Sequence, residues 1–339
     1  MLSALVAAAS LASAGAGLLG LQLNVSAHGG VDELFALAKE TREMGCSLLA
    51  HSVKWSDIER SPGKIDTADL KRDFDWRGKM GFVSYLTIQT IDTNQRTLPS
   101  DLMREAWDSP VMLRRETAML HAVAKALPKS IGAVMLGNEV DGYLIAHRNE
   151  IAPYLSFLKS GRTVLRADVP GLPVGVTTMF LNLKSEKDLI SQLQAPMDLV
   201  SMTYYPLEGM ARPRPPREVM SDFEEMLRFS GKRLLFLQEA GVPASPLVGS
   251  SEDLQAEFVD RLFDAMAKYR ARLAGVCYFL AIDFSDSLLD QLVGYYGVQG
   301  DRFRAFLGSL GLKKQDGKPR KAWEVFKKRA SEYTADHQF

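Results

Sequence analysis

Cysteine and histidine are scarce in this chain. Its 339 residues include two cysteines, Cys46 and Cys277, and five histidines. So few cysteines exclude a disulfide-dense scaffold, and because Cys277 lies in an apolar run we expect two buried free thiols rather than a disulfide. No group of Cys and His residues has the spacing typical of metal ligands, so we expect no metal site.

Neither sign of charge is in excess. Lys and Arg total 41, as do Asp and Glu, which gives a formal net charge of zero. The sequence has no basic stripe, so we expect no nucleic-acid partner. A hydrophobic fraction of 46% and a charged fraction of 24% are typical of a globular protein.

The N-terminal segment has two interpretations. Residues 2–14 are small and apolar and end in Ala12-Ser13-Ala14, like the apolar region and cleavage site of a secretory signal. No Lys or Arg precedes them, so residues 1–16 are either a signal peptide or an apolar lead-in to the first strand. We expect export to the periplasm or the cell exterior, and a cytoplasmic protein if the segment is no signal. The run is too short and too rich in Ala and Ser for an integral membrane span.

Apolar runs alternate with helical patterns along the chain. The predicted strands cover residues 18–25, 47–53, 82–88, 131–136, 173–178, 199–205, 233–237 and 275–282. The predicted helices cover residues 31–44, 67–80, 111–127, 151–167, 186–193, 219–229 and 253–269, with further helical segments near Phe303 and Trp323. Near-continuous apolar strands are typical of parallel sheets buried on both faces. The alternation predicts an α/β fold, a single-domain (β/α)8 TIM barrel over residues 17–335.

Two carboxylates directly follow predicted buried strands. Glu139 ends Gly137-Asn138-Glu139 after the fourth strand, and Glu239 stands in Gln238-Glu239-Ala240-Gly241 after the seventh. A carboxylate is costly to desolvate, and barrel enzymes place their chemistry at the C-terminal ends of strands. Paired carboxylates carry out glycoside hydrolysis. The alternative is a pair of structural ion-pair acids.

The ordered motifs resemble clan A of the glycoside hydrolases, which pairs an Asn-Glu at the end of strand four with a Glu at the end of strand seven. Asn138-Glu139 and Glu239 match that pair. The Gly-Asn-Glu and Tyr-Tyr-Pro pieces are most similar to endo-β-1,4-galactanases. Three further stretches resemble the clan's loop after strand two, its tyrosine end of strand six and its closing helix: Trp55-Ser56-Asp57-Ile58-Glu59, Thr203-Tyr204-Tyr205-Pro206, and Gly317-Lys318-Pro319 with Ala322-Trp323.

The resemblance implies a retaining β-glycosidase acting on a polysaccharide or oligosaccharide, by a mechanism that requires no cofactor and no metal. Glu139 would be the general acid/base and Glu239 the nucleophile, with carboxyl groups about 5–5.5 Å apart; roughly 6.5–9.5 Å would imply inversion. Asn138 would hold the sugar 2-hydroxyl. Tyr204 and Tyr205 point to opposite faces of a regular strand, so one would hydrogen-bond the nucleophile and the other would lie in the core.

Other residues near strand ends are candidates for substrate contacts. Lys54 would supply positive charge beside Glu239 or lie in solvent, and His51 is a functional or a core histidine. The candidates for sugar stacking are Trp55, Trp107, Tyr143 and Phe279. The candidates for binding hydroxyls are Asp92, Asn94, Asp141 and Asp283. Core packing and turn formation are the alternatives for these two sets.

Two departures from the clan's pattern favour a second hypothesis. Lys54 stands where many members carry Arg, and a lysine lacks the bidentate fork of a guanidinium. Phe279 lies where many members carry a Trp platform. Lost positioning would leave a catalytically degenerate, carbohydrate-binding TIM barrel. A third hypothesis is an unrelated barrel enzyme such as a lyase or aldolase. The sequence leaves the sugar, the linkage and the oligomeric state open.

Overall fold

The computed structural model describes residues 17–209, 211–298 and 300–335. Residues 1–16 lie outside the described residues, so the signal-peptide interpretation and the expected export stay proposals. The strands are β1 (Leu18–Leu21), β2 (Leu48–Lys54), β3 (Val83–Asp92), β4 (Gln95–Arg96), β5 (Ile131–Asn138), β6 (Val174–Gly175), β7 (Thr177–Met179), β8 (Val200–Tyr204), β9 (Leu207–Glu208), β10 (Arg212–Pro213), β11 (Leu235–Ala240) and β12 (Leu273–Tyr278). The helices are α1 (Val31–Glu43), α2 (Trp55–Ile58), α3 (Ala68–Lys79), α4 (Pro110–Ala126), α5 (Val140–Ala146), α6 (Ile151–Asp168), α7 (Lys187–Gln194), α8 (Val219–Ser230), α9 (Glu252–Tyr269), α10 (Asp286–Tyr296), α11 (Asp301–Leu307) and α12 (Lys321–Ala335).

The described residues form two compact units, one of residues 50–203 and one of residues 17–49 with 204–335. The single-domain interpretation therefore stays a prediction. In the first unit, β5 pairs in parallel with β3 on one side and β6 on the other, and β7 pairs in parallel with β8. The β3–β5 register sets Asp92 opposite Asn138 at the C-terminal ends of both strands. A buried apolar cluster that includes Trp55, Leu136 and Phe157 forms its core.

In the second unit, β1 pairs in parallel with β12, and β12 with β11. The aromatic rings of Phe263 on α9 and Phe326 on α12 meet edge to face at 5.5 Å. The hydroxyl of Ser251 accepts a hydrogen bond from the backbone N–H of Leu254 at 3.1 Å and so caps the N-terminus of α9. Cys46 and Cys277 are buried free thiols, which confirms that prediction.

The predicted strands and helices recur with shifted ends. The fifth predicted strand is divided into β6 and β7, and the third continues to Asp92, where a polar loop is predicted. That extension is stable because β3 pairs with β5 on one side and turns back into β4 on the other. The helices α2, α5 and α10 are not predicted. Helix α5 has seven residues and begins directly after Glu139, so it is too short for a clear helical period.

The described residues contain neither a membrane-spanning helix nor a cluster of metal-ligating side chains. None of their helices is long and apolar enough to cross a membrane. No set of three or more His, Cys, Asp or Glu among them is placed to hold a metal ion.

The buried carboxyl of Glu116 on α4 leads to a prediction about stability. A Cβ at Gly161 on α6 would lie 2.5 Å from its Oε1, so the two helices meet closely at this acid. Burial raises the pKa of Glu116 well above its ordinary value of 4.5, and a bond with Ser160 opposes the rise. Above about pH 4.5 the unfolded chain therefore binds fewer protons here than the folded chain, and the free energy of unfolding falls as pH rises.

Replacing Glu116 with glutamine removes the ionisation and keeps the shape. We expect the free energy of unfolding to fall less steeply with pH in Glu116→Gln than in the wild type, with the gap widening above about pH 4.5. Urea unfolding of both proteins at several values between pH 4.5 and 8.5 measures it. Parallel pH dependences would show that Glu116 ionises normally in the folded protein.

Candidate active site

The backbone at Gly137 and Glu139 turns the chain from β5 into α5. Gly137 has a φ of +100°, and a Cβ there would lie 2.4 Å from Val140 and 2.5 Å from the hydroxyl of Tyr154, so only glycine fits. Glu139 has a φ of +48°, a left-handed conformation that is uncommon outside glycine. These turns place the Glu139 carboxyl at the C-terminal end of β5, as the sequence predicts.

Two threonine hydroxyls hold the carboxyl group of Glu139. Thr93 Oγ1 donates to Oε2 and Thr203 Oγ1 donates to Oε1, both at 2.7 Å. Burial raises the pKa of Glu139 above its usual range, the two hydroxyls lower it, and the negative charge of Asp92 raises it. The net rise favours a protonated carboxyl group, the form that a general acid needs.

Asn138 lies between Glu139 and the end of β3. Its Nδ2 donates to Asp92 Oδ1 at 3.0 Å, and both side chains are largely buried. Because an ionised carboxylate accepts and cannot donate, Asp92 fixes which end of the amide faces it. The structure thus makes Asp92 the partner of Asn138, and direct contacts of either residue with a sugar stay predictions.

Asp141 does not have the predicted role. It is 0% exposed, and it accepts hydrogen bonds from Met179 N at 3.0 Å and Asn182 Nδ2 at 2.8 Å. Burial raises its pKa to about 7. The hydroxyl-binding prediction for Asp141 is wrong because both carboxyl oxygens fasten the turn after β7.

In the second unit, a tyrosine holds Glu239. Glu239 lies on β11, and Tyr205 Oη donates to its Oε2 at 2.7 Å. Tyr204 is fully buried, and its hydroxyl donates to Asp222 at 2.9 Å. The structure therefore decides between the two tyrosines: Tyr205 contacts the predicted nucleophile, Tyr204 belongs to the core, and a substrate contact for Tyr204 is wrong.

Phe279 adjoins the Glu239 site. Its ring meets that of Tyr205 at 6.3 Å and that of Phe284 at 5.9 Å, both edge to face. The ring of Phe306 on α11 also meets that of Tyr205 edge to face, with the ring centroids 5.7 Å apart. The partly buried rings fix the phenol of Tyr205 beside Glu239, and stacking of Phe279 on a sugar stays a prediction.

Removing the hydroxyl of Tyr205 should impair catalysis. We expect Tyr205→Phe to lower kcat roughly 10- to 100-fold, because a hydrogen bond to a charged group contributes about 1.5–3 kcal/mol. The matched control is Tyr204→Phe, which removes the neighbouring phenol hydroxyl. It should lower the melting temperature, since Asp222 loses a buried donor, and leave kcat of the folded protein unchanged. Equal kcat losses in the two variants would contradict this difference in roles.

Burial decides whether three of the aromatic candidates are available to stack on a sugar. Trp55 and Trp107 are 0% exposed, and their indole N–H groups donate to Glu59 at 2.9 Å and Glu150 at 2.8 Å. Sugar stacking on these tryptophans is therefore wrong. Tyr143 is nearly buried, and its ring stacks on that of His147 at 3.8 Å. Sugar stacking on Tyr143 stays a prediction.

His51 packs against α3. Its Nδ1 lies 3.2 Å from Arg77 Nη2 and 3.2 Å from Asp73 Oδ2. Burial, with the positive charge of Arg77, lowers its pKa to about 4, so the ring is neutral at physiological pH. His51 is partly exposed and is held by Arg77 and Asp73 on α3, and its contact with a substrate stays a prediction.

The remaining polar candidates have different outcomes. Lys54 is the partly buried last residue of β2, and its charge beside a substrate stays a prediction. Asn94 is exposed in the β3–β4 turn, so its role also stays a prediction. Asp283 is buried, pairs with Arg320 at 2.6 Å and accepts from Gly311 N at 2.8 Å, so hydroxyl binding is wrong there.

Thr93 and Thr203 are site residues that the sequence predictions omit. The sequence could have indicated Thr203 as a site residue. It directly precedes Tyr204-Tyr205, and alternation along β8 puts it on the face opposite Tyr204. Thr93 had none, since it lies in the turn between β3 and β4 and reaches Glu139 by its left-handed backbone, with φ +53°.

Comparison with known proteins establishes the fold. No family model matches the chain, and no curated protein sequence matches it. The exo-β-1,4-mannosidase Op5Man5 from Opitutaceae bacterium strain TAV5 has a TM-score of 0.73 at 18% identity over 96% of this chain and 61% of the mannosidase, so this chain spans less than two thirds of that protein. A GH5_18 protein from Streptomyces cattleya, solved with GlcNAc, has a TM-score of 0.76 at 15% identity over 96% of this chain and 82% of its own.

A substituted form of the GH5_18 protein from Streptomyces cattleya, solved with Manβ1-4GlcNAc, gives a TM-score of 0.74 at 16% identity, covering 95% of this chain and 81% of that one. Sequence identities this low support a shared fold and nothing about activity or substrate. The chain has the (β/α)8 TIM barrel fold, as its sequence predicts.

Proposed function

We propose that this protein is a retaining β-glycosidase in which Glu139 is the general acid/base and Glu239 the nucleophile. The observation that carries the proposal is the different setting of two strand-end carboxyl groups. Glu139 is partly buried, is held by two hydroxyls and has its pKa raised by desolvation, whereas Glu239 accepts a hydrogen bond from a phenol. Carboxyl groups in unlike environments can divide acid and nucleophile roles.

The reaction has two steps. In the first, the Glu239 carboxylate attacks the anomeric carbon while protonated Glu139 gives its proton to the departing glycosidic oxygen. This forms an ester between Glu239 and the sugar and releases the leaving alcohol. In the second, ionised Glu139 takes a proton from water, and the water oxygen displaces Glu239 from the anomeric carbon. Two inversions give net retention.

The substrate is proposed to be a polysaccharide or oligosaccharide with a β-linkage. The barrel fold supports the proposal but hosts many chemistries, so it does not assign the reaction. The names of the structural neighbours, an exo-β-1,4-mannosidase and a protein bound to Manβ1-4GlcNAc, favour β-mannosides for the first trials. The Gly-Asn-Glu and Tyr-Tyr-Pro motifs favour β-1,4-galactan as a second choice.

The test is release of reducing ends from a panel of β-glycans, with β-1,4-mannan, β-1,4-galactan and Manβ1-4GlcNAc included. Wild type is assayed beside Glu139→Ala and Glu239→Ala, each checked for folding by circular dichroism. The control is Glu257→Ala, which removes an exposed carboxylate from α9. Hydrolysis that both site variants abolish and the control retains would support the proposal.

Absence of hydrolysis in the wild type would contradict the proposal. Equal glycan affinity in wild type and Glu239→Gln, without turnover in either, would instead favour the carbohydrate-binding barrel. A carboxylate that serves only binding has no nucleophilic role to lose.

A further inference from the structure

Both carboxyl oxygens of Glu139 accept hydrogen bonds from threonine hydroxyls, one in the β3–β4 turn and one on β8. Thr93 follows β3 and Thr203 lies on β8, and each hydroxyl is 2.7 Å from its own carboxyl oxygen. Two donors on two oxygens restrict rotation about the last bond of the side chain. The carboxyl plane is thereby fixed, which a proton donor to a defined glycosidic oxygen requires.

Local backbone features bring Thr93 to this position. Its φ of +53° is unusual for a β-branched residue, and its backbone N–H donates to Asn138 O at 3.0 Å. Gly142 on α5 permits a close approach, since a Cβ there would lie 2.4 Å from Thr93 O. Strained residues held by their surroundings concentrate at functional sites.

We propose that Thr93 and Thr203 are positioning residues that orient the carboxyl group of Glu139 and stabilise its ionised form, an inference that rests on the proposed acid/base role of Glu139. A carboxylate accepts from both hydroxyls at once. After protonation, the oxygen that carries the proton becomes a donor, and its hydroxyl partner must turn or lose the bond. The threonine pair therefore favours the ionised state.

The charges facing Glu139 act in the opposite direction. Asp92 on β3 and Asp141 on α5 are both acids, and the charge of each disfavours a second carboxylate nearby. Burial also disfavours the ionised form of Glu139 and so raises its pKa. A retaining acid/base must be protonated in one step and ionised in the next. The hydroxyls keep the ionised form accessible against burial and two neighbouring acids.

The test replaces each threonine with valine, which keeps the β-branched shape and removes the hydroxyl. The variants are Thr93→Val, Thr203→Val and the double variant, with Thr93→Ser and Thr203→Ser to restore the donors. The control is Thr90→Val on β3, whose hydroxyl contacts Tyr154 at 3.0 Å and not Glu139. Because valine and threonine share branching, the backbone cost at residue 93 is unchanged.

The first readout does not depend on activity. Glu139 is titrated by carboxyl ¹³C NMR in protein labelled at glutamate, and its signal is assigned by its loss in Glu139→Gln. We expect each valine variant to raise the pKa of Glu139 by about one unit, a tenfold change in proton affinity, because one bond to the charged form is lost. The serine variants and Thr90→Val should titrate like the wild type.

The second readout is the alkaline limb of kcat/KM, which should move to higher pH in the valine variants while kcat falls more than KM changes. Folded valine variants that titrate like the wild type would overturn the inference, whatever their activity. If a valine variant does not fold, the corresponding alanine variant is titrated in its place. A wild type that hydrolyses no glycan would defeat the proposed function, and the NMR titration would still decide the role of the threonines.

Discussion

Replacing Glu239 with glutamine is expected to lower kcat by on the order of 10⁵-fold on every glycoside that the wild type hydrolyses. The amide has nearly the same volume and still accepts a bond from Tyr205, so folding and sugar binding should persist. It cannot form the ester intermediate with the anomeric carbon, however, so both steps of the reaction fail. Steady-state kinetics on an aryl β-glycoside and on the best natural glycan measure the loss.

The control for this loss is Glu257→Gln on α9, which makes the same chemical change at an exposed position and should keep full activity. Melting temperatures of both variants close to that of the wild type would establish that they are folded. Retention of more than about 1% of wild-type kcat by repurified Glu239→Gln would contradict the assignment, because loss of a nucleophile costs far more.

Replacing Glu139 with alanine is expected to have an effect that depends on the leaving group. For glycans, whose leaving alcohols need a proton, we expect kcat/KM to fall about 10²- to 10⁴-fold. For aryl glycosides with acidic phenols, the first step needs little help from an acid, so kcat/KM should fall far less. A series of aryl glycosides that differ in the pKa of the phenol should give a steeper dependence in Glu139→Ala than in the wild type.

The same variant should change the pH profile. The proposed mechanism requires a protonated Glu139 in the first step, and burial raises its pKa, so we expect wild-type kcat/KM to fall as pH rises through that raised pKa. Glu139→Ala should lose this alkaline limb on activated substrates and keep the acidic limb, which reports the nucleophile. An unchanged alkaline limb, or an equal loss on all leaving groups, would assign the acid to another residue.

The sequence predicted the fold because its strand-end motifs and its apolar runs agree. Buried parallel strands read as continuous apolar segments, and helical patterns separate them, so the barrel and the positions of Glu139 and Glu239 at strand ends were predictable. The ends of the strands were less predictable. The pairing of β3 with β5 extends β3 to Asp92, and composition alone does not reveal that pairing.

Side-chain roles depended on tertiary burial. Trp55 and Trp107 look like sugar platforms in the sequence, yet both lie in the core with their indole N–H groups bonded to glutamates. Alternation predicted that one of Tyr204 and Tyr205 faces the site, but only the structure's contacts identify it as Tyr205, which bonds Glu239. Thr93 was unpredictable, since a left-handed turn residue carries no motif.

The most direct test of the central claim is to trap the sugar ester on Glu239. Wild-type protein is incubated with a 2-deoxy-2-fluoro glycoside that carries a good leaving group and matches the preferred sugar, and tryptic peptides are sequenced by mass spectrometry. The account predicts one added sugar on the peptide of residues 234–261, with fragment ions that place it on Glu239. Label on another carboxylate, or turnover of the true substrate with inverted anomeric configuration, would contradict it.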